Sequence, residues 1–517
     1  MSRFVDAAKT VRNHLRPYNP ASVVSLALSE LWKGHQAARV DELKSAPWAI
    51  LLIVKLVLED LQASFRSSWS CPPEIFHRCR QLIWETSPFE PDDSSGRNIF
   101  LSLRSMMYQQ ILFQQPIDWN FLRWPALIAD LQPDHPTRRQ FEQVVGTDPD
   151  SFAGLAWMLY VPAIRGENAI NPDLLQLAQS IYGDAVPRFL ALFVRDLAEI
   201  RAELRYEFDS RLNAASGGPA SRRRLPRVRS QMERNEFPWL SRFPILALSD
   251  GRLAIWHPRV LARGIEQSTH RLLSTLGQEY SDEFSKVFES YVVSLIEEVG
   301  LTPINDAQFK SLGKASYPAV DAIIEYPSAN VFVEAKMSLF ADEVLLSDET
   351  SLVYGKLKRV REGIVQAWRV GSLIRDGSVT VGNCAAAVED FLIIVTSRQL
   401  FCCTGDHLIR MLGTEVFADM DRGSPHGRPT DDQMRRLPPK NIIIASIEEF
   451  EHLMGCVGAK EIDLPSFLRE VGDACVDPEK SRLFLDQFLG KKTKKWRMPR
   501  VQTELRGRVE ARLIAFA

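Results

Sequence analysis

Within YPAVDAIIEYPSANVFVEAKM, residues 317–337, two apolar runs at 319–325 and 331–336 are short and rich in Val, Ile and Phe, the pattern of strands. The break between them contains Pro327, Ser328 and Asn330, which suit a hairpin loop. Side chains alternate across a strand, so Glu334 and Lys336 share one face while Val333 and Ala335 take the other. If the strands run antiparallel, Asp321 in the first run reaches the same side. Charges set inside apolar strands are costly unless they serve one another or a metal.

After about residue 260 the pattern alternates helix and strand, which suggests an α/β domain. A helix is expected over 282–299, with Phe284, Phe288, Val292, Leu295 and Ile296 on one face. Another follows the hairpin at 351–370. FLIIVT at 391–396 and residues 442–445 read as buried strands. A further helix starts at Ser446, a good N-cap with Glu449 three residues on.

Residues 1 to about 205 show helical spacing instead, broken by prolines at 17, 20, 72, 73, 116, 125, 133 and 136, which implies several short helices. The apolar stretches 48–58 and 152–164 fall short of the roughly 20 residues needed to span a bilayer, and read as buried core helices. Residues 243–256 resemble a hairpin around Ser249-Asp250-Gly251. The segment 213–234, NAASGGPASRRRLPRVRSQMER, reads as an exposed linker. The expected fold class is therefore multidomain, a mostly α region followed by an α/β domain with a mixed central sheet flanked by helices. Its segments are a helical regulatory or targeting domain (1–212), a basic linker (213–235), a hairpin with a connecting helix (236–270), the α/β domain (271–460) and a helical basic tail (461–517).

The charged hairpin resembles the signature of the PD-(D/E)xK nuclease superfamily, whose pattern is an acid on one strand, a loop, and (D/E)xK on the next. Here Asp321 precedes Glu334-Ala335-Lys336, with the two acids thirteen positions apart. Val320 stands where the family name has proline. Members often carry a glutamate on the preceding helix, which Glu289 in FSKVFESYV matches, and a Lys, Arg or Gln on the following one, for which Gln366 in KLKRVREGIVQAWR is the candidate. The resemblance covers about 280–450. It implies a restriction-endonuclease-like fold and a Mg²⁺- or Mn²⁺-dependent phosphodiesterase, an endonuclease with DNA favoured as substrate. Asp321, Glu334, the Ala335 carbonyl and Glu289 would hold the metal, and Lys336 would orient the attacking water or stabilise charge on the phosphate. By analogy alone, a bacterial restriction or phage-defence role is suggested, with the N-terminal region targeting, regulating or oligomerising the enzyme.

Three other readings compete. One is an exposed edge hairpin on which Glu334 and Lys336 form a surface pair. Another is a non-catalytic nucleic-acid-binding or scaffold protein built on a degenerate nuclease fold. The third is a helical partner-binding protein in which the hairpin is incidental. The net charge of −2 gives no whole-chain case for nucleic acid, so any such contact must come from local patches. Lys356, Lys358, Arg359 and Arg361 follow the hairpin. Lys491, Lys492, Lys494 and Lys495 precede Trp496, which is available to stack on a base, and six arginines lie in 222–234.

Seven cysteines, with no CxxC pair, argue against a disulfide framework or a zinc knuckle and for small buried residues. No HExxH, P-loop or GxSxG motif occurs. His407 beside Asp406 reads as a surface pair at a helix start. The first residues lack the apolar core of a secretory signal, so a cytoplasmic location without membrane contact is expected.

Overall fold

In the computed structural model the described residues form two separate sheets, one of three strands and a mixed one of five, each with its strands in chain order. The residues described are 3–36, 46–85, 100, 101, 104, 107, 108, 113, 119–215, 239–337, 344, 345, 350–418, 431–490, 492 and 498–515. They divide into two compact units, Met1–Thr275 with Glu504–Ala517, and Leu276–Thr503.

The first unit is mostly helical. Helices at Pro20–Gln36, Pro47–Glu59 (α1), Pro73–Glu85, Pro136–Val145, Pro149–Ile164 (α2) and Pro172–Tyr182 all begin at proline. At a helix's first position the missing N–H has no partner to lose and the ring presets φ, so the prolines delimit short helices as the sequence suggests. The helices α1 and α2 are buried along most of their length. Within α1, Lys55 pairs with Glu59 at 2.7 Å, one turn on.

The hairpin expected at 243–256 forms from β2 (Ile245–Ala247) and β3 (Leu253–Ile255). Gly251 takes the left-handed φ of +85° that its turn requires. This hairpin does not stand apart from the N-terminal helices, as the expected segmentation had it. The strand β2 pairs in parallel with β1 (Val194–Arg195), and Ile170 N–H donates to the Leu253 carbonyl at 2.8 Å. Backbone pairing therefore draws 236–270 into the same unit as 1–212, and the unit boundary falls at 275/276 instead of at 213–235. Helix α3 (Leu197–Ala215) runs into the expected linker, and 216–238 lie outside the described residues. The helix α4 (Pro258–Leu273) ends this part of the unit.

The second unit opens with α5 (Gln278–Glu298), β4 (Ile304–Asn305) and α6 (Asp306–Leu312). Next, β5 (Ala322–Glu325) and β6 (Ala329–Lys336) form the antiparallel hairpin, and β4 pairs antiparallel with β5. The helix α7 (Lys358–Arg375) leads to β7 (Glu389–Thr396), and α8 (Gly405–Leu412) precedes β8 (Ile442–Ser446). Both β7 and β8 run parallel to β6. Of β6, β7 and β8, only Lys336 and Glu389 are not fully buried. Burial on both faces is what makes these strands read as continuous apolar runs. The covering elements are α5 against β6, α7 against β6 and β7, and α9 (Ile447–Gly458) against β7 and β8. The helix α9 starts with the expected capping box, in which Glu449 N–H donates to Ser446 Oγ at 3.3 Å and Ser446 N–H to Glu449 Oε2 at 2.8 Å.

At the end of the central strands remote from Glu334, Asp390 is buried and ion-paired with Arg375. Asn330 Nδ2 on β6 donates to Asp390 Oδ1 at 2.9 Å, and Asn441 Nδ2, just before β8, to the Asp390 carbonyl at 3.0 Å. The Asp390 carboxylate thus ties β6 and Arg375 to β7, and its backbone carbonyl ties β7 to the start of β8.

The expected tail, 461–517, divides between the units. The helix α10 (Leu464–Val476) packs against β8, whereas from Glu504 the last helix, α11 (Arg500–Ile514), belongs to the first unit. There Arg508 reaches Asp150 at 2.6 Å. The seven cysteines are all buried and free. His407 is a correction: it is fully buried, forms a capping box with Thr404, and has Nε2 2.8 Å from Ser481 Oγ. Among the described residues no helix is long and apolar enough to cross a membrane.

Candidate active site

The hairpin turn is tighter than the sequence suggests, because β6 begins at Ala329 and only 326–328 join the strands. Asp321 lies in a bend one residue before β5, not inside it. The antiparallel register pairs Ala322 with Val333, and one further step sets Asp321 opposite Glu334. Residues directly opposite in an antiparallel pair share a face, which brings the two acids to one side.

The contacts follow from that register. Asp321 N–H donates to Glu334 Oε2 at 3.3 Å, and Ala335 N–H donates to Asp321 Oδ2 at 2.7 Å. The Lys336 ammonium donates to Glu334 Oε1. Glu334 is 1% exposed on the middle strand of five, which rules out a surface pair on an edge hairpin. A carboxylate that deep costs several kcal/mol unless it is paired, and Lys336 supplies the partner.

Glu289, half-buried on α5, belongs to the same cluster electrostatically. Burial, and then the charge of Asp321, push its carboxyl up to about 7, with Lys336 opposing. The same two causes push Glu334 up to about 8. Burial also raises Asp321, against the Ala335 amide and Lys336. Lys336 is raised despite its own burial, because Glu334, Asp321 and Glu289 surround it. Three acids therefore share one ammonium.

Gln366 does not join the carboxylates. Its Nε2 donates to the carbonyl of Ala319, two residues before Asp321, so it fixes the approach to β5 from α7. Of the basic residues after the hairpin, Lys356, Lys358 and Arg359 are exposed, and Lys358 pairs with Glu362 at 3.6 Å. Arg359 Nη1 reaches the Met337 carbonyl at 3.3 Å, placing the start of α7 at the end of β6 that bears Lys336. In the other patch Lys492 is exposed and pairs with Glu470 at 2.8 Å. Lys491, Lys494, Lys495 and Trp496, with the arginines of 222–234, lie outside the described residues.

Two neighbours were missed in the sequence. Asp306, at the start of α6 and bridged to Lys310 at 2.8 Å, adds negative charge that raises both Glu289 and Asp321. Its one sequence signal is the Asn305–Gln308 capping box. The other is Gly363 on α7. A Cβ built there meets Glu334 Cγ at 3.1 Å and Lys336 Cε at 3.3 Å, tighter than ordinary contact, so a side chain at this position presses on the Glu334–Lys336 pair. Gly363→Val is expected to cost about 1–3 kcal/mol through overpacking and to displace the Glu334–Lys336 pair. A thermal unfolding comparison that finds no loss would contradict the close approach.

Among the described residues no three His, Cys, Asp or Glu side chains converge tightly enough to enclose a metal ion. Lys336 lies on Glu334 and the Ala335 amide on Asp321. The donor chemistry nevertheless fits Mg²⁺, which keeps several waters and takes only one or two carboxylates. The excess of three acids over one ammonium is the charge a divalent cation would offset. No family model matches the chain, and neither does any curated protein.

Proposed function

We propose that this chain is a metal-dependent nuclease that hydrolyses phosphodiester bonds, with DNA the favoured substrate and the Leu276–Thr503 unit its catalytic part. The observation that carries this reading is the burial of Glu334, paired with Lys336 and opposite Asp321, on the central strand of a five-stranded sheet. An ion pair needed only for stability is poorly placed there, since well-packed apolar residues of similar volume do as well or better.

In this reading Asp321 and Glu334 hold a hydrated Mg²⁺ or Mn²⁺, with the Ala335 carbonyl and Glu289 as further oxygen donors. When bound, the ion supplies a polarised phosphate and a water of lowered pKa. Lys336 moves its ammonium from Glu334 toward the scissile phosphate, where it orients the attacking water and balances developing charge. Gln366 keeps Asp321 in register through the Ala319 carbonyl. Lys358 and Arg359, at the N-terminal end of α7, hold neighbouring phosphates with the help of the positive end of that helix, and Lys356, the last residue of the preceding helix, adds a further positive charge.

Titration calorimetry with Mg²⁺ and Mn²⁺ tests the ligand set. The wild-type protein is expected to bind, and Asp321→Ala to bind at least about tenfold more weakly with its circular dichroism unchanged, a loss of the size expected when a carboxylate ligand is deleted. Equal affinity in the two proteins would remove Asp321 from the metal site.

A further inference from the structure

A cavity of about 1110 Å³ opens within the first unit, between the Pro20–Gln36 helix, the start of α3 and the β2–β3 hairpin. That is at the upper end of, or beyond, the roughly 300–1,000 Å³ of small-molecule sites. Two arginines on its wall, Arg201 and Arg205, stand one helical turn apart on α3. Like charges at that spacing destabilise a helix, and a bound anion would offset their repulsion.

The acids lining the cavity are engaged elsewhere. Asp250 is bound by Arg252 at 2.7 Å, and Asp196 accepts the Glu199 N–H at 2.8 Å at the head of α3. Asp60, behind Arg201, pairs with Arg16 at 2.7 Å. Arg201 is anchored by Nη2 bonds of 3.0 Å to the carbonyls of Asp60 and Ala63, and its guanidinium lies 5.0 Å from the ring centre of Phe65. Arg205 has neither hydrogen bond nor ion pair among the described residues, and the Nε atoms of both arginines are buried without a partner. Burial, and then the charge of Arg205, lower the pKa of Arg201.

We propose that this cavity binds a nucleotide. Guanidinium forks match phosphate oxygens in geometry and charge, and two of them suit a ligand with more than one negative charge. Phe65, half-exposed at the wall, offers a flat apolar surface to a base. A site of this volume takes the nucleoside together with its phosphates. The proposal stands independently of the nuclease reading, since no residue of the acidic cluster takes part.

The test is calorimetry on the full chain with ATP, GTP, CTP and UTP, run in EDTA so that the acidic cluster cannot contribute through a metal. Adenosine and inorganic phosphate serve as partial ligands. At least one triphosphate is expected to bind more tightly than adenosine or phosphate alone. Arg205→Gln is expected to weaken it at least tenfold, the scale of losing one charge-assisted phosphate contact. Ser29→Trp, which fills the cavity from an exposed wall position on another helix, should weaken it likewise and stands as the second variant if Arg205→Gln does not fold. Failure of all four triphosphates to bind, binding unchanged in either folded variant, or phosphate alone binding as tightly as the best triphosphate would each overturn the assignment.

Discussion

Lys336→Ala is expected to slow Mg²⁺-dependent cleavage on the order of 10²-fold or more while leaving nucleic-acid affinity nearly unchanged. The ammonium lies on Glu334, within the acidic cluster, whereas Lys356 and Lys358 are exposed. Its work is therefore expected in the transition state, where charge develops on the phosphate, more than in holding the backbone. Affinity is best measured with Ca²⁺ in place of Mg²⁺, so that binding is read without turnover. Removing Lys336 also leaves Glu334 buried without its partner, so unfolding must be followed in parallel. A folded variant that cleaves at the wild-type rate removes Lys336 from the chemistry. One that loses affinity and rate together makes it a binding residue.

The largest stability effect is expected at Arg375. Its guanidinium is the ionic partner of Asp390, whose side chain is 2% exposed. Arg375→Met keeps the packing stem but strands the carboxylate in a medium that solvates it poorly, and removing one partner of a buried pair costs roughly 3–5 kcal/mol. Asn330 retains its 2.9 Å bond to Asp390 and softens the loss without supplying the missing charge. Combining Arg375→Met with Asp390→Leu should recover much of the stability, because the uncompensated charge is then gone. Urea unfolding of the three proteins measures this directly. A single variant within 1 kcal/mol of wild type would show that Arg375 does not carry the central strands.

The sequence was legible where burial and alternation agree. The continuous apolar run of 391–396, the residues 442–445 and the capping box at Ser446 predicted elements that form within a residue or two of the expected bounds. The alternation in VFVEAK placed Glu334 and Lys336 on one face, and the antiparallel register then brought Asp321 to it. What stayed hidden depended on long-range contacts. Nothing local announces that two residues at 194–195 will pair with 245–246, which is what moves the unit boundary to 275/276. Gly363 reads as an ordinary helix-weakening glycine until the helix is laid on β6. Gln366 looked like a site residue from its position on the helix, yet its amide holds the Ala319 backbone instead. His407 looked exposed because Asp406 stands beside it at a helix start, but its ring turns inward to Thr404 and Ser481.

Asp321, Glu334 and Lys336 are proposed to form a phosphodiester-cleaving centre. Incubation of the full chain with duplex DNA, single-stranded DNA and RNA, in Mg²⁺ and in Mn²⁺, tests it most directly, with Glu334→Gln alongside. The expected result is cleavage of at least one substrate by the wild-type protein, DNA before RNA, abolished by EDTA and by Glu334→Gln. No cleavage of any substrate with either metal, or equal cleavage by a folded Glu334→Gln variant, would contradict the claim and leave the cluster as a binding or structural feature of the sheet.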